Sequence, residues 1–256
     1  MTALRAGIKL LGFIAMTLPG LPVQQALIAV SQTGARRFPH LYHRAVAWWL
    51  DIKLNIIGEP VRDKACLIAC NHVSWMDIIV LSALTPLSFI AKKEVNSWPG
   101  FGTLARLQRT VFIDRDRRQS TGSSRNEMQE RLKAGETLVL FAEGTSSDGF
   151  RVLPFKSAYF AAAESADVVV QPVTLVYRGH WGVPMMRRRR PFFAWYGDMD
   201  MGPHLWQALA QGPIEVDVIC HEPLTLAGAG NRKLLAKQAE EAVRQGLVQA
   251  LSGAQP

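Results

Sequence analysis

Short apolar runs, most of them closed by Gly, Pro, Asn or Asp, recur from residue 53 to residue 220. They predict strands near 53–58, 65–70, 87–91, 110–114, 137–142, 167–176, 192–197 and 214–220. Segments with apolar positions at helical spacing fall between several of them. That alternation predicts an α/β fold, a mixed sheet covered by helices. Gly149, Pro154, Gly179, Gly182 and Pro184 mark loops too short to act as linkers, so residues 39–256 are expected to form one domain. Near the end, "NRKLLAKQAEEAVRQGLVQAL" carries Leu234, Leu235, Ala239, Val243 and Leu247 on a helical period, which predicts an amphipathic helix packed on the body.

The first 38 residues read differently. Residues 6–30 are largely apolar but contain Lys9, the break Pro19-Gly20-Leu21-Pro22, and Gln24 with Gln25. A spanning helix needs ~20 unbroken apolar residues, and each half is shorter than that, so 1–38 is expected to be a membrane-associating hairpin or interfacial anchor. One kinked spanning helix is the alternative. Arg5 and Lys9 ahead of a short apolar core also resemble a signal peptide, but no small-x-small cleavage site follows. The next stretch, "FPHLYHRAVAWWL", predicts a short helix with Leu41, Ala45, Trp48 and Trp49 near one face, suited to a headgroup interface or to buried packing.

Charge narrows the partners. The formal net charge is +8 with a pI near 9.7, which points to an anionic partner. Nucleic acid is not expected, because the basic clusters (36–37, 92–93, 115–118, 187–190) have no zinc-finger, recognition-helix or aromatic ribonucleoprotein pattern beside them. Cys66, Cys70 and Cys220 are too few and too badly spaced for a disulfide framework, which suits a reducing compartment.

The candidate chemistry begins at "NHVSWMD", 71–77, where His72 and Asp77 stand just after the apolar run "ACLIAC". With a helix starting around Ser74, a capping-type residue, His72 lies in the loop before it and Asp77 in its first turn, so the carboxylate can return to the imidazole. Two zinc ligands on one helix face would sit a single turn apart, and no second His or Cys nearby completes a set; no metal is expected. Taken alone, the pair fits a structural histidine better than a base.

Three more stretches follow in order: "TVFIDR" (110–115), "FAEGTSS" (141–147) and "VVQPV" (169–173). Together the four resemble the motifs of the glycerolipid acyltransferase family, enzymes that acylate glycerol phosphate and lysophospholipids. Asn71, His72 and Asp77 match N-H-x-x-x-x-D; Phe112, Ile113 and Arg115 match a strand ending F-[IV]-x-R; residues 141–147 follow F-P-E-G-T-R-S; and Pro172 falls in V-x-P-[VI]. The segment "AKKEVNSWPGFG" (91–102) is also similar, and the resemblance covers about residues 40–220. It implies an acyltransferase of membrane lipid biosynthesis, with His72 as general base and Asp77 fixing its tautomer. It further implies that Arg115 clamps an anion and that Glu143, with Gly144 and Thr145, helps hold the acceptor headgroup. No cofactor is implied; the co-substrate is an acyl thioester of acyl carrier protein or coenzyme A. The implied partners are a membrane lipid acceptor, that thioester carrier and the membrane surface, at the inner (cytoplasmic) membrane with the site facing the cytoplasm. The cluster at 187–190 would suit an anionic bilayer or an acidic carrier protein.

Physical reasoning agrees. An aliphatic hydroxyl is a poor nucleophile near neutral pH, so its attack on a thioester calls for a positioned base. No G-x-S-x-G elbow is present, which predicts direct attack without an acyl-enzyme. Blander readings remain for individual residues: Arg115 within a solvated cluster, Glu143 accepting the N–H groups of its own loop, and Pro172 terminating a strand.

Two departures bear on the acceptor. Ala142 replaces the family's proline, and Ser146 stands where phosphate-accepting relatives carry an arginine. Residues 145–160 and 194–206 look more like the bacterial branch that acylates lyso-ornithine lipid, so that acceptor is expected first. A 1-acyl-glycerol-3-phosphate acceptor is the alternative, with Arg151 or Lys156 supplying the cation. A lipid-binding protein without turnover and a thioester hydrolase are the readings from other classes.

Overall fold

Both faces of "ACLIAC" are buried because it forms a central strand of a mixed sheet. A computed structural model describes residues 2–62, 64–114, 120–164 and 168–253. Its strands are β1 (Ile52–Ile57), β2 (Cys66–Cys70), β3 (Ser88–Lys92), β4 (Val111–Ile113), β5 (Thr137–Phe141), β6 (Val169–His180), β7 (Val183–Pro184), β8 (Ile214–Cys220) and β9 (Leu224–Thr225). The sheet runs β1-β8-β6-β2-β5-β3-β4, with β7 and β9 paired to β6. Most pairs are parallel, and β6 is antiparallel to β7, β8 and β9. The expected mixed α/β sheet is what forms.

Eight helices accompany it among the described residues: α1 (Thr2–Val30), α2 (Gln32–Trp49), α3 (Met76–Leu84), α4 (Phe101–Leu107), α5 (Ser120–Lys133), α6 (Met201–Gln211), α7 (Leu226–Ala229) and α8 (Arg232–Ser252). The period of two along β2 sorts its side chains between two apolar layers. Cys66, Ile68 and Cys70 join the layer containing residues of α2, α3 and α6; Leu67 and Ala69 join the one containing α5 and α8. On β6, Val173, Leu175 and Tyr177 face the α3 side.

Several expectations need correction. No strand forms at 192–197: Pro191 lacks an N–H, and the N–H groups of Phe193 and Ala194 both donate to Arg190 O, which curls the chain into a turn. The apolar character there serves packing, since Phe193 and Ala194 are buried. Pro172 does not terminate β6. It sits inside the strand, between the residues paired to β9 and those paired to β8, where the edge partner changes and a missing N–H is tolerated. Gly179 lies within β6, at a register shift against β8.

At the N-terminus the break at 19–22 is absent, because α1 continues through Pro19 and Pro22 and the chain reverses at Ser31 instead. Ser31 caps α2 by accepting the Gly34 N–H. The two helices pack closely at Gly12, where a Cβ would meet the Trp49 ring at 2.1 Å, while the Trp49 indole donates to Lys9 O. The expected face of α2 is also revised: Ala35, Pro39, Val46 and Ala47 are buried, whereas Leu41 and Trp48 face outward. Residues 38 and 39, the expected boundary between anchor and body, both lie inside α2. In α8, Leu235, Ala239, Val243 and Leu247 are buried as expected, and Leu234 is exposed.

Candidate active site

The loop between β2 and α3 has no slack. His72 N–H donates to Glu143 Oε1 (2.9 Å), while Val73 and Ser74 N–H donate to Asp77 Oδ2 (2.7 and 3.0 Å). The carbonyls of His72, Val73 and Ser74 accept from the N–H groups of Ser147, Trp195 and Asp77. Every backbone polar group of these three residues is therefore paired, and the loop geometry is fixed from three parts of the chain. Ser74 does not act as the expected side-chain cap: α3 begins at Met76, and the Asp77 carboxylate returns to the loop instead.

Inside this frame His72 Nδ1 lies 2.8 Å from Asp77 Oδ2. Asp77 is fully buried and receives four donors, the fourth being the Tyr177 hydroxyl at 2.6 Å from Oδ1. A carboxylate so surrounded acts only as acceptor, which assigns the imidazole proton to Nδ1 and leaves Nε2 with its lone pair. The ring stacks on Phe141 at 3.9 Å between centroids, which sets its plane.

Beside His72 opens a cavity of about 490 Å³, within the range of small-molecule sites. Its walls are largely apolar. Phe13 and Leu21 of α1, Phe38 of α2 and Trp98 and Phe101 from the 91–102 segment contribute, with Gly144, Thr145 and Ser146 also in the lining. Near-parallel strand ends and a loop therefore bring the first and third motifs together, along with the similar segment at 91–102.

The other expected residues fare differently. Gly144 and Thr145 line the cavity; Gly144 takes φ +75°, and a Cβ there would lie 2.7 Å from Lys156 Nζ. Glu143 is 2% exposed, and its oxygens accept the N–H groups of His72 and Leu153 at 2.9 and 3.0 Å. Burial pushes its carboxyl up to about 8, against the pull of those two bonds. The geometry is thus the loop-tying one, extended to the histidine. Arg115 and the rest of 115–118 lie outside the described residues. Of 187–190, Arg190 is not part of a solvated patch: it is buried, donates to Gly149 O and stacks on Phe150.

Sequence reasoning missed two residues and placed a third, Asn71, in the first motif without a role. Asn71 reaches across to β6, where its side chain donates to Leu175 O and accepts from Leu175 N–H (3.0 and 2.8 Å). Phe141 and Tyr177 were not singled out. Phe141 opens the third motif and could have been suspected; Tyr177 meets Asp77 from 100 positions away, and only the sheet register reveals it.

Comparison with known proteins shows the family. Residues 53–176 match the family model described as Acyltransferase. The lyso-ornithine lipid O-acyltransferase of Brucella abortus is 43% identical, over 94% of this chain and 92% of that protein. The enzyme of that name from Rhizobium meliloti is 40% identical, over 91% and 82%. The 1-acyl-sn-glycerol-3-phosphate acyltransferase of Neisseria meningitidis serogroup B is 36% identical, over 78% and 77%. Among solved structures, the 1-acyl-sn-glycerophosphate acyltransferase of Thermotoga maritima superposes with a TM-score of 0.70 at 25% identity, covering 97% of each chain.

Proposed function

Because the chain belongs to the acyltransferase family, we propose that it moves a fatty acyl group from an acyl thioester to the free hydroxyl of lyso-ornithine lipid, with His72 as general base. The observation that carries this reading is the His72–Asp77 pair at 2.8 Å beside a largely apolar cavity. The acceptor hydroxyl attacks the thioester carbonyl as Nε2 takes its proton; Asp77 stabilises the imidazolium. The tetrahedral intermediate collapses, the carbon–sulfur bond breaks and the thiolate leaves. The imidazolium then returns a proton to the thiolate. The serine beside the dyad, Ser74, is buried within the loop, which supports direct attack without an acyl-enzyme.

The cavity suits the acyl chain, and Gly144, Thr145 and Ser146 suit the acceptor end. Acyl carrier protein or coenzyme A brings the thioester. Arg115 remains the proposed anion clamp. Glu143 acts by holding the His72 backbone rather than by touching the headgroup. Ser146 in place of an arginine, together with the relatives named lyso-ornithine lipid O-acyltransferase, favours that acceptor. Lys156 beside Gly144 favours lysophosphatidate as a second acceptor, because it puts an ammonium near the lining loop.

Membrane contact follows from α1. One side of that helix, including Leu10 and Phe13, packs on the body and lines the cavity, while Leu4, Leu11 and Leu18 are 61–71% exposed on the other. At 29 residues α1 is long and apolar enough to cross a bilayer, but the side that packs on the body ties it to the domain and favours a place in the interface. With the first turns of α2 it forms the proposed anchor of residues 1–38, ahead of an acyltransferase domain at 39–256 that takes in the rest of α2. Trp48 and Trp181, both exposed, suit headgroup depth. Three free, buried cysteines suit a site facing the cytoplasm at the inner membrane.

The test is turnover of a labelled acyl carrier protein thioester by the full chain in detergent, with lyso-ornithine lipid and lysophosphatidate offered separately. Labelled ornithine lipid as the faster product supports the reading. Product from lysophosphatidate alone overturns the acceptor, and release of free fatty acid alone overturns transfer in favour of hydrolysis.

A further inference from the structure

The Asp77 carboxylate is served unequally. Oδ2 accepts from His72 Nδ1 and from the Val73 and Ser74 N–H groups, all within its own loop, whereas Oδ1 receives the Tyr177 hydroxyl from β6 at 2.6 Å. Tyr177 is 1% exposed. Burial and the neighbouring Asp77 charge hold its phenol far above its ordinary value, so it is a permanent donor.

The rest of β6 is arranged to put it there. Asn71, next to the candidate base, clamps the backbone of Leu175 through two hydrogen bonds. Tyr177 lies two residues further along the same face, in the layer shared with α3. Immediately after it, the pairing with β8 shifts register between Tyr177 and Gly179, a bulge of the kind that re-aims side chains.

We propose that Tyr177 is a positioning residue of the acyl transfer: its hydroxyl locks Asp77 in the rotamer that keeps the His72 proton on Nδ1 and Nε2 ready to accept. It touches neither substrate. Without it, the carboxylate is held only from the loop before α3 and can swing away from the imidazole, which takes the acceptor from Nδ1 and loosens the tautomer. The inference rests on His72 being the base.

The test is Tyr177→Phe, which removes only the hydroxyl and keeps the ring in the core, measured alone and combined with Asp77→Asn. We expect kcat to fall about tenfold, the size of one charge-assisted hydrogen bond, with both KM values within about twofold. In the Asp77→Asn background the same change should cost nothing further, because its effect passes through Asp77. Nitrogen NMR of histidine-labelled protein should show one His72 tautomer in the wild type and a mixture in folded Tyr177→Phe. An unchanged kcat, a full additional loss in the Asp77→Asn background, or an unaltered tautomer overturns the proposal. Full rate in His72→Ala would remove the base assignment and this proposal with it. Loss in His72→Ala beside an unchanged kcat in Tyr177→Phe removes the proposal alone.

Discussion

The carboxylate of Glu143 holds the backbone of His72: Oε1 accepts its N–H at 2.9 Å, and Oε2 accepts that of Leu153 at 3.0 Å. A side chain from the end of β5 therefore fixes the main chain beneath the candidate base, while Asp77 fixes its ring. Glu143→Ala leaves two half-buried donors, the His72 and Leu153 N–H groups, without their partner, at a cost of up to about 1–3 kcal/mol each. We expect a lower Tm and a kcat reduced more than KM, read by thermal unfolding and steady-state assay; an unchanged Tm would contradict the role.

The same residue predicts a pH dependence. Its carboxyl titrates near 8 when folded against an ordinary 4.5, so between those values the folded state binds the extra proton and stability from this group falls as pH rises. Its contribution is complete below about 4.5 and gone above about 8. Tm of the wild type relative to Glu143→Gln, which cannot ionise, should decline from pH 5 to pH 8. A flat difference would contradict it.

Ser146 lines the cavity at the arginine position of the F-P-E-G-T-R-S motif that residues 141–147 resemble. Ser146→Arg should raise the rate ratio of lysophosphatidate over lyso-ornithine lipid by about tenfold, the value of one charge-assisted bond to phosphate. Competition between the two acceptors reads this out. An unmoved ratio would place the phosphate elsewhere.

The exposed face of α1 predicts how the chain meets lipid. Aspartate at Leu4, Leu11 and Leu18 together leaves the cavity-lining side intact and should release the protein from anionic vesicles in sedimentation, with activity on detergent-dispersed substrates kept. Persistent co-sedimentation would show that another surface anchors the chain.

Most of the strands were legible because β2 and β5 are short apolar runs bounded by polar residues or turns and β8 alternates from Ile214 to Val218, and a buried or half-buried strand writes those patterns locally. The failure at 192–197 has the same origin, since Phe193 and Ala194 are apolar for the core and not for a ladder. Periodicity misjudged α2 for another reason: both α1 and α3 pack on it, so its buried face is not a single stripe, and Val46 points inward while Trp48 points outward. Pro19 and Pro22 suggested a break, yet packing of α1 on α2 and α6 carries the helix through them. His72 and Asp77 were legible because they lie five residues apart, on either side of the start of α3. Glu143 could be found, and its bond to its own loop foreseen, but not its bond to His72; Tyr177 could not be found, because those contacts are made by the register of β2, β5 and β6.

The central claim is that His72 takes the acceptor's proton. Wild type and His72→Ala, each shown to be folded, are compared in one detergent assay with labelled acyl carrier protein thioester and lyso-ornithine lipid. The account predicts labelled ornithine lipid from the wild type and a rate at least a hundredfold lower from the variant, roughly the loss of a general base. Equal rates from the two proteins would contradict it.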